Sequence, residues 1–176
     1  FNLEVLPVND APVLSFIGSQ IMEEDNQLVI TLEATDPEDD DLTFEAQFDD
    51  GESSIDGNEL TITPNANFNG SIDLWVYVTD GSLGDSEDVT ITVLPVNDAP
   101  TIGLIEDAQV PEGGEFQLSL SSTDIDSNDL YYSVSVDGNA SAYVDSDTLI
   151  INPFSGYNGD ISVTVYVSDG YLSDST

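Results

Sequence analysis

The segment Val5-Leu-Pro-Val-Asn-Asp-Ala-Pro12 recurs as Val93-Leu-Pro-Val-Asn-Asp-Ala-Pro100, 88 residues later in a chain of 176. An identical segment repeated at half the chain length makes the chain two copies of one unit, and a stack of modules has a different job from a single globule. The frame extends beyond the repeated segment. Glu24 matches Glu112, Thr35-Asp36-x-Glu38 matches Thr123-Asp124-x-Asp126, and Leu42 matches Leu130 at the same spacing. Pro64, Asn69-Gly70 and Thr79-Asp80-Gly81 match Pro153, Asn158-Gly159 and Ser168-Asp169-Gly170 one residue later, so one residue is inserted between Leu42 and Pro64. Three segments are predicted: 1–7 as the last strand of a preceding or neighbouring chain's module, 8–95 as the first module, and 96–176 as a second module lacking its final strand.

Short alternating segments dominate, and none has a helical period. Leu28–Leu32, Leu42–Phe48, Leu60–Ile62, Ile72–Val78 and Val89–Val93 each set apolar residues at every second position. Phe116–Leu120, Leu130–Val136, Leu149–Ile151 and Ile161–Val167 repeat the pattern. Period-two runs broken by Gly, Asn, Asp and Pro predict half-buried antiparallel strands, about seven per unit, closed into a β-sandwich. The fold class expected is therefore all-β: tandem Ig-like seven-stranded sandwiches joined by short linkers bracketed by proline, as by Pro95 and Pro100. Phe1–Leu6 looks like a last strand with no module before it. Either the chain is a window cut from a longer array, or that strand completes the second module of a neighbouring molecule by strand addition, head to tail.

Charge narrows the function. The chain has 36 Asp and Glu and no Lys, Arg or His. Nothing can neutralise a phosphate, so nucleic acid and anionic membrane are poor partners. No apolar run approaches the roughly 20 residues that span a bilayer, so direct insertion is not expected. Without Cys there are no disulfides or thiolate sites. Catalysis would have to rest on paired carboxylates alone, which a chain this acidic offers everywhere, so no enzyme is expected. Asp36-Pro-Glu-Asp-Asp-Asp41 superficially matches a helical calcium loop but lacks its Gly.

With no base present, clustered carboxylates must stay dispersed, carry raised pKa values, or bind cations. Strand order puts Asp36, Glu38 and Asp80 at one pole of the first module, where Asn9-Asp10 arrives, and Glu24 at the other, near Asn97-Asp98. Across the middle junction Glu24, Asn97, Asp98, Asp124, Asp126 and Asp169 should converge, with Glu112 as the counterpart of Glu24 in the second module. Several carboxylates and an Asn carbonyl form a hard-oxygen site, which suits Ca²⁺ with its 6–8 flexible oxygen ligands better than Mg²⁺. Trp75, Tyr77, Tyr131 and Tyr166 fall on the outward phase of their strands, where aromatics can stack on sugars or on neighbouring filaments. Asn69-Gly-Ser71 and Asn139-Ala-Ser141 fit a glycosylation pattern but read as plain loop asparagines.

The Val-Asn-Asp-Ala-Pro linker, Glu24 and Glu112, the Asp-x-Glu/Asp pair, Pro64-Asn-Ala-Asn-Phe-Asn-Gly70 and the terminal Asp-Gly together resemble the bacterial cadherin-like repeats of giant surface adhesins, over essentially the whole chain. The resemblance implies a cadherin-type sandwich, Ca²⁺ at module junctions, and an extracellular or cell-surface role in adhesion or in extending an adhesin. The partners it implies are neighbouring copies of the repeat, with glycans or cell-surface proteins as possible targets. Two departures from animal cadherins stand out: the linker is shorter, and Asn65, Asn67 and Asn69 occupy the place of an acidic Asp-Arg-Glu loop.

Overall fold

A computed structural model of the chain describes residues 1–6 and 8–176; Pro7, within the segment 1–7 assigned above, lies outside them. The chain divides into two compact units, Phe1–Val96 and Asn97–Thr176, each with its own core. All regular structure among the described residues is strand.

In the first unit the strands are β1 (Val13–Leu14), β2 (Gln20–Glu23), β3 (Leu28–Thr31), β4 (Ala34–Thr35), β5 (Thr43–Gln47), β6 (Gly51–Asp56), β7 (Glu59–Pro64), β8 (Gly70–Thr79) and β9 (Gly84–Leu94). They form two main sheets, β2-β9-β8-β5 and β3-β7-β6, and β1 pairs with β4. The core lies between the sheets because one face of every long strand is apolar. On β8, Ile72, Leu74, Val76 and Val78 are buried while Asp73 and Trp75 point to solvent. Leu60 and Ile62 of β7 meet them from the other sheet, and Ile91 of β9 lies beside Ile72 in the same sheet, all three fully buried. Burying each such side chain contributes about 1.5–3 kcal/mol.

The first edge is built in two pieces. β1 runs antiparallel to β4 (Val13 opposite Thr35), after which the chain crosses over and β2 runs parallel to β9 (Gln20 opposite Ile91). Gly18, with φ of 71°, makes the bend. The crossover leaves backbone donors without strand partners, and carboxylates take them: Glu87 accepts from the N–H groups of Ile17 (2.9 Å) and Gly18 (3.0 Å), and Asp85 from Leu14 (2.9 Å).

The second unit repeats this plan with β10 (Thr101–Ile102), β11 (Phe116–Ser119), β12 (Ser122–Thr123), β13 (Tyr131–Val136), β14 (Ala140–Asp145), β15 (Thr148–Pro153), β16 (Val163–Ser168) and β17 (Ser173–Ser175). Its sheets are β11-β15-β14 and β13-β16-β17, with β10 paired to β12. Asp174 accepts from the N–H of Ile102 at 3.0 Å, reproducing the Asp85–Leu14 bond. One detail differs from the sequence expectation. The second unit does begin its last strand, since β17 pairs Tyr166 with Ser175 and Ser168 with Ser173. Phe1–Leu6, expected as a strand of another module, forms none within the first unit and leaves Phe1, Leu3, Val5 and Leu6 exposed. Those four residues match Val89, Ile91, Val93 and Leu94 at the repeat spacing, and in the first unit β9 already fills that place.

Candidate functional site

In each unit the linker is bonded to two of the acidic loops singled out in the sequence, and in the same way. In the first, the amide of Asn9 donates to Asp80 Oδ2 at 2.8 Å, and the N–H of Asp10 donates to Glu38 Oε2 at 3.2 Å. In the second, Asn97 donates to Asp169 Oδ2 at 2.7 Å, and the N–H of Asp98 donates to Asp126 Oδ2 at 2.7 Å. Each linker is thus stitched to two loops of its own unit by the same pair of bonds.

The loops are themselves rigid. Asp36 Oδ1 accepts from the N–H groups of Glu38 (2.9 Å) and Asp40 (3.3 Å), and Asp124 Oδ1 from those of Asp126 and Ser127, both at 2.8 Å. Asp80 Oδ1 caps the turn after β8 through Ser82 (2.6 Å) and Leu83 (2.7 Å), and Asp169 Oδ1 does the same after β16 through Tyr171 and Leu172. These are Asx-type turns, in which a short acidic side chain replaces a backbone acceptor.

One atom in each pole stands apart. Asp36 Oδ2 and Asp124 Oδ2 are shielded from solvent and have no hydrogen-bond donor. A carboxylate oxygen in that state is costly unless a cation or donor meets it. The same oxygen is left over at the same position in both units. It would be one ligand of a hard-oxygen set for a divalent cation. By side chains alone the set is incomplete, since among the described residues no three Asp or Glu lie close enough together to hold one ion.

The other acids behave differently. Glu24 is 1% exposed and sits just past β2. Its Oε1 accepts from the N–H of Val96 at 2.6 Å and its Oε2 from the amide of Asn69 at 3.1 Å. Glu112 is exposed, because residues 103–115 form no strand and the parallel pairing that carries Glu24 inward is not made. Glu24 belongs to the first unit, whereas Asn97, Asp98, Asp124, Asp126 and Asp169 belong to the second.

Sequence reasoning missed a whole class of acid. Asp85, Glu87 and Asp174 hold first-edge backbone, and Asp137, just past β13, accepts from the N–H of Ser162, just before β16, at 3.1 Å. A signal existed for one pair, since Asp85 and Asp174 match in the repeat. Of the alternatives open to unopposed carboxylates, four acids take the opposite of a raised pKa. Asp169 is held below the usual carboxylate range by the Asn97 amide and then by the Tyr171 and Leu172 N–H groups. Asp80 is lowered by the Leu83 N–H first and Asn9 second. Asp174 is lowered by Ile102, and Asp137 by Ser162. With no Lys or Arg available, backbone and amide N–H groups stand in as the positive partners.

Both units match one family of known proteins. The model of the bacterial Ig domain matches residues 9–93 and again 97–176. The chain belongs to that family. Among solved structures, the bacterial Ig pair resembles Drosophila N-cadherin EC1-4 (TM-score 0.59, 22% identity, 96% of this chain and 48% of that one). It also resembles human protocadherin-24 EC1-2 (TM-score 0.54, 16% identity, 96% and 94%). These likenesses concern the fold, which is the cadherin-like sandwich expected. Among curated proteins, chitinase A of Pseudoalteromonas piscicida is 28% identical over 167 residues, covering 92% of this chain. The chain spans 20% of that protein's length.

Proposed function

We propose that this pair of bacterial Ig modules is a non-catalytic structural segment of an extracellular or cell-surface protein, an adhesin or fibre, whose acidic poles take up Ca²⁺ and stiffen the run of modules. The observation that carries the reading is the orphaned carboxylate oxygen of Asp36 and Asp124, left over twice in the same setting. Asp36, through its unpartnered oxygen, would meet the ion in the first module, and Asn9, Asp10, Glu38 and Asp80 would have to close in to complete the shell. Asp124 would do so in the second, with Asn97, Asp98, Asp126 and Asp169 closing in; Glu24, which bonds the N–H of Val96, and Glu112 are the remaining acids of the proposed set. Bound Ca²⁺ supplies charge that offsets the mutual repulsion of these groups. The protein's own part is to hold the oxygens still, which the Asx turns and linker bonds do without any metal.

Titration calorimetry of the intact chain with Ca²⁺ tests this. Saturable heat, reduced by Asp124→Asn, is expected. Absence of heat at millimolar Ca²⁺, with an unchanged melting temperature, would sink the proposal.

A second reading, a carbohydrate-associated module, is favoured by a separate observation. Trp75 and Tyr77 stack on an exposed sheet face, with ring centroids 5.3 Å apart and planes within 10°. The similarity to one fifth of the length of a protein named chitinase A supports the same reading. Retention of the chain on an insoluble polysaccharide, unaffected by chelator, is the outcome that separates this reading from a pure spacer.

A further inference from the structure

We propose that Trp75 and Tyr77 form a preorganised platform for an uncharged, flat pyranose chain, confined to the first module; this rests on the carbohydrate reading above. Tyr77 does not wave freely on the surface. Its ring lies over Gly84, the residue at the start of β9, where any Cβ would overlap both the tyrosine ring and the Val78 carbonyl. Trp75 then stacks on a ring already fixed in place. Trp75 keeps 38% of its surface exposed, a large share for a side chain that is otherwise among the most buried types.

The second unit provides an internal comparison. At the positions equivalent to Trp75, Tyr77 and Gly84 it has Thr164, Tyr166 and Ser173. The frame is shared, but the cradle glycine and the second ring are both missing. Maintaining the frame therefore does not need the stacked pair.

The surroundings point to the occupant. Directly opposite Trp75 are Gln47 on β5 and Asp88 on β9, and opposite Tyr77 is Glu45, all exposed on the same face. Amide and carboxylate oxygens at the edge of an aromatic surface accept hydrogen bonds from hydroxyl groups, while the ring faces meet the C–H face of a sugar. A chain carrying 36 acids and no base repels uronate or sulfated polymers, so the ligand must lack negative charge. Fixed rings lose little freedom on binding, which suits a shallow site.

Trp75 is the single tryptophan of the chain, so its emission reports on this site alone. The test titrates the intact protein with cellohexaose, chitohexaose and, as an anionic control, an alginate oligomer, with and without EDTA. Affinity electrophoresis in soluble polysaccharide is run on Trp75→Ala, Trp75→Phe and Tyr77→Ala. The expected result is a saturable emission shift with an uncharged oligomer, unaltered by EDTA and absent with alginate. Trp75→Ala should weaken binding about tenfold, with Trp75→Phe intermediate. Melting curves identify any variant that loses its fold, and the phenylalanine variant then carries the decision. Polysaccharide binding that survives unchanged in Trp75→Phe and Trp75→Ala would overturn the platform and leave the carbohydrate reading standing. No binding of any probe by the intact chain would overturn both. Equal binding of alginate would refute the charge argument and with it the proposed ligand.

Discussion

At the residue scale, the informative feature is how this chain satisfies its acids. Glu24 is buried with two donors on its carboxylate and no cation near it among the described residues. Hydrogen bonds to a charged acceptor are worth about 1.5–3 kcal/mol, and stranding a buried donor costs about 1–3 kcal/mol. Glu24→Ala should therefore destabilise the first unit by roughly 2–4 kcal/mol, and Glu24→Gln by less, because one oxygen still accepts. Urea denaturation of both variants measures this; equal losses would show that packing, not acceptance, holds the side chain there. The lowered acids set a pH response with a definite sign. A group whose folded pKa is depressed contributes stability above its unfolded value of 3.8, lost as pH falls through the folded pKa. Acid unfolding of the second unit should thus steepen below that value, and Asp169→Asn or Asp174→Asn should flatten the curve. A variant whose profile stays parallel to the parent's would contradict the assignment.

At the element scale, the fold turns on its split first edge. β1 and β10 are two-residue strands, too short to hold by ladder bonds alone, and each is fastened by one carboxylate from the last strand. Asp85→Ala and Asp174→Ala should speed hydrogen exchange at Leu14 and Ile102 respectively, with about 1–2 kcal/mol of local stability lost. Unchanged protection at those amides would show that pairing with β4 and β12 suffices. The alternating strands were legible in the sequence: Ile72–Val78 lies within β8 with the expected inward and outward phase. The crossover was not. Gln20–Glu23 pairs with residues about 70 positions away and in parallel, a choice made by which edge is vacant rather than by the strand's own pattern. β6, Gly51–Asp56, was missed because Gly-Glu-Ser-Ser carries few apolar residues and draws its stability from β7.

At the scale of the whole molecule, the two units have separate cores and should respond separately. Leu60, fully buried, lies in the first core, so Leu60→Ala should lower that unit's transition by about 2–5 kcal/mol and leave the second unit's transition in place. Calorimetry that shows both transitions moving together would reveal coupling through the linker. If the acidic poles hold Ca²⁺, chelation should lower the melting temperature and change the small-angle scattering profile toward a more flexible chain. Identical profiles with and without chelator would argue against the mechanical role. Net charge of −36 also means that every such measurement should depend on ionic strength, because unopposed carboxylates are screened by salt.

The amino-acid order alone determined the repeat, the all-β class and the inward faces of the long strands. These follow from period and spacing, which act between near neighbours and between aligned copies. Only the folded chain decided which acids meet which donors. Glu24 finds Val96, Asn97 finds Asp169 and Asp85 finds Leu14 across about 70 residues of chain. No local pattern encodes such partners, because closing the sandwich is what brings a carboxylate in one strand within reach of an unpaired N–H in another.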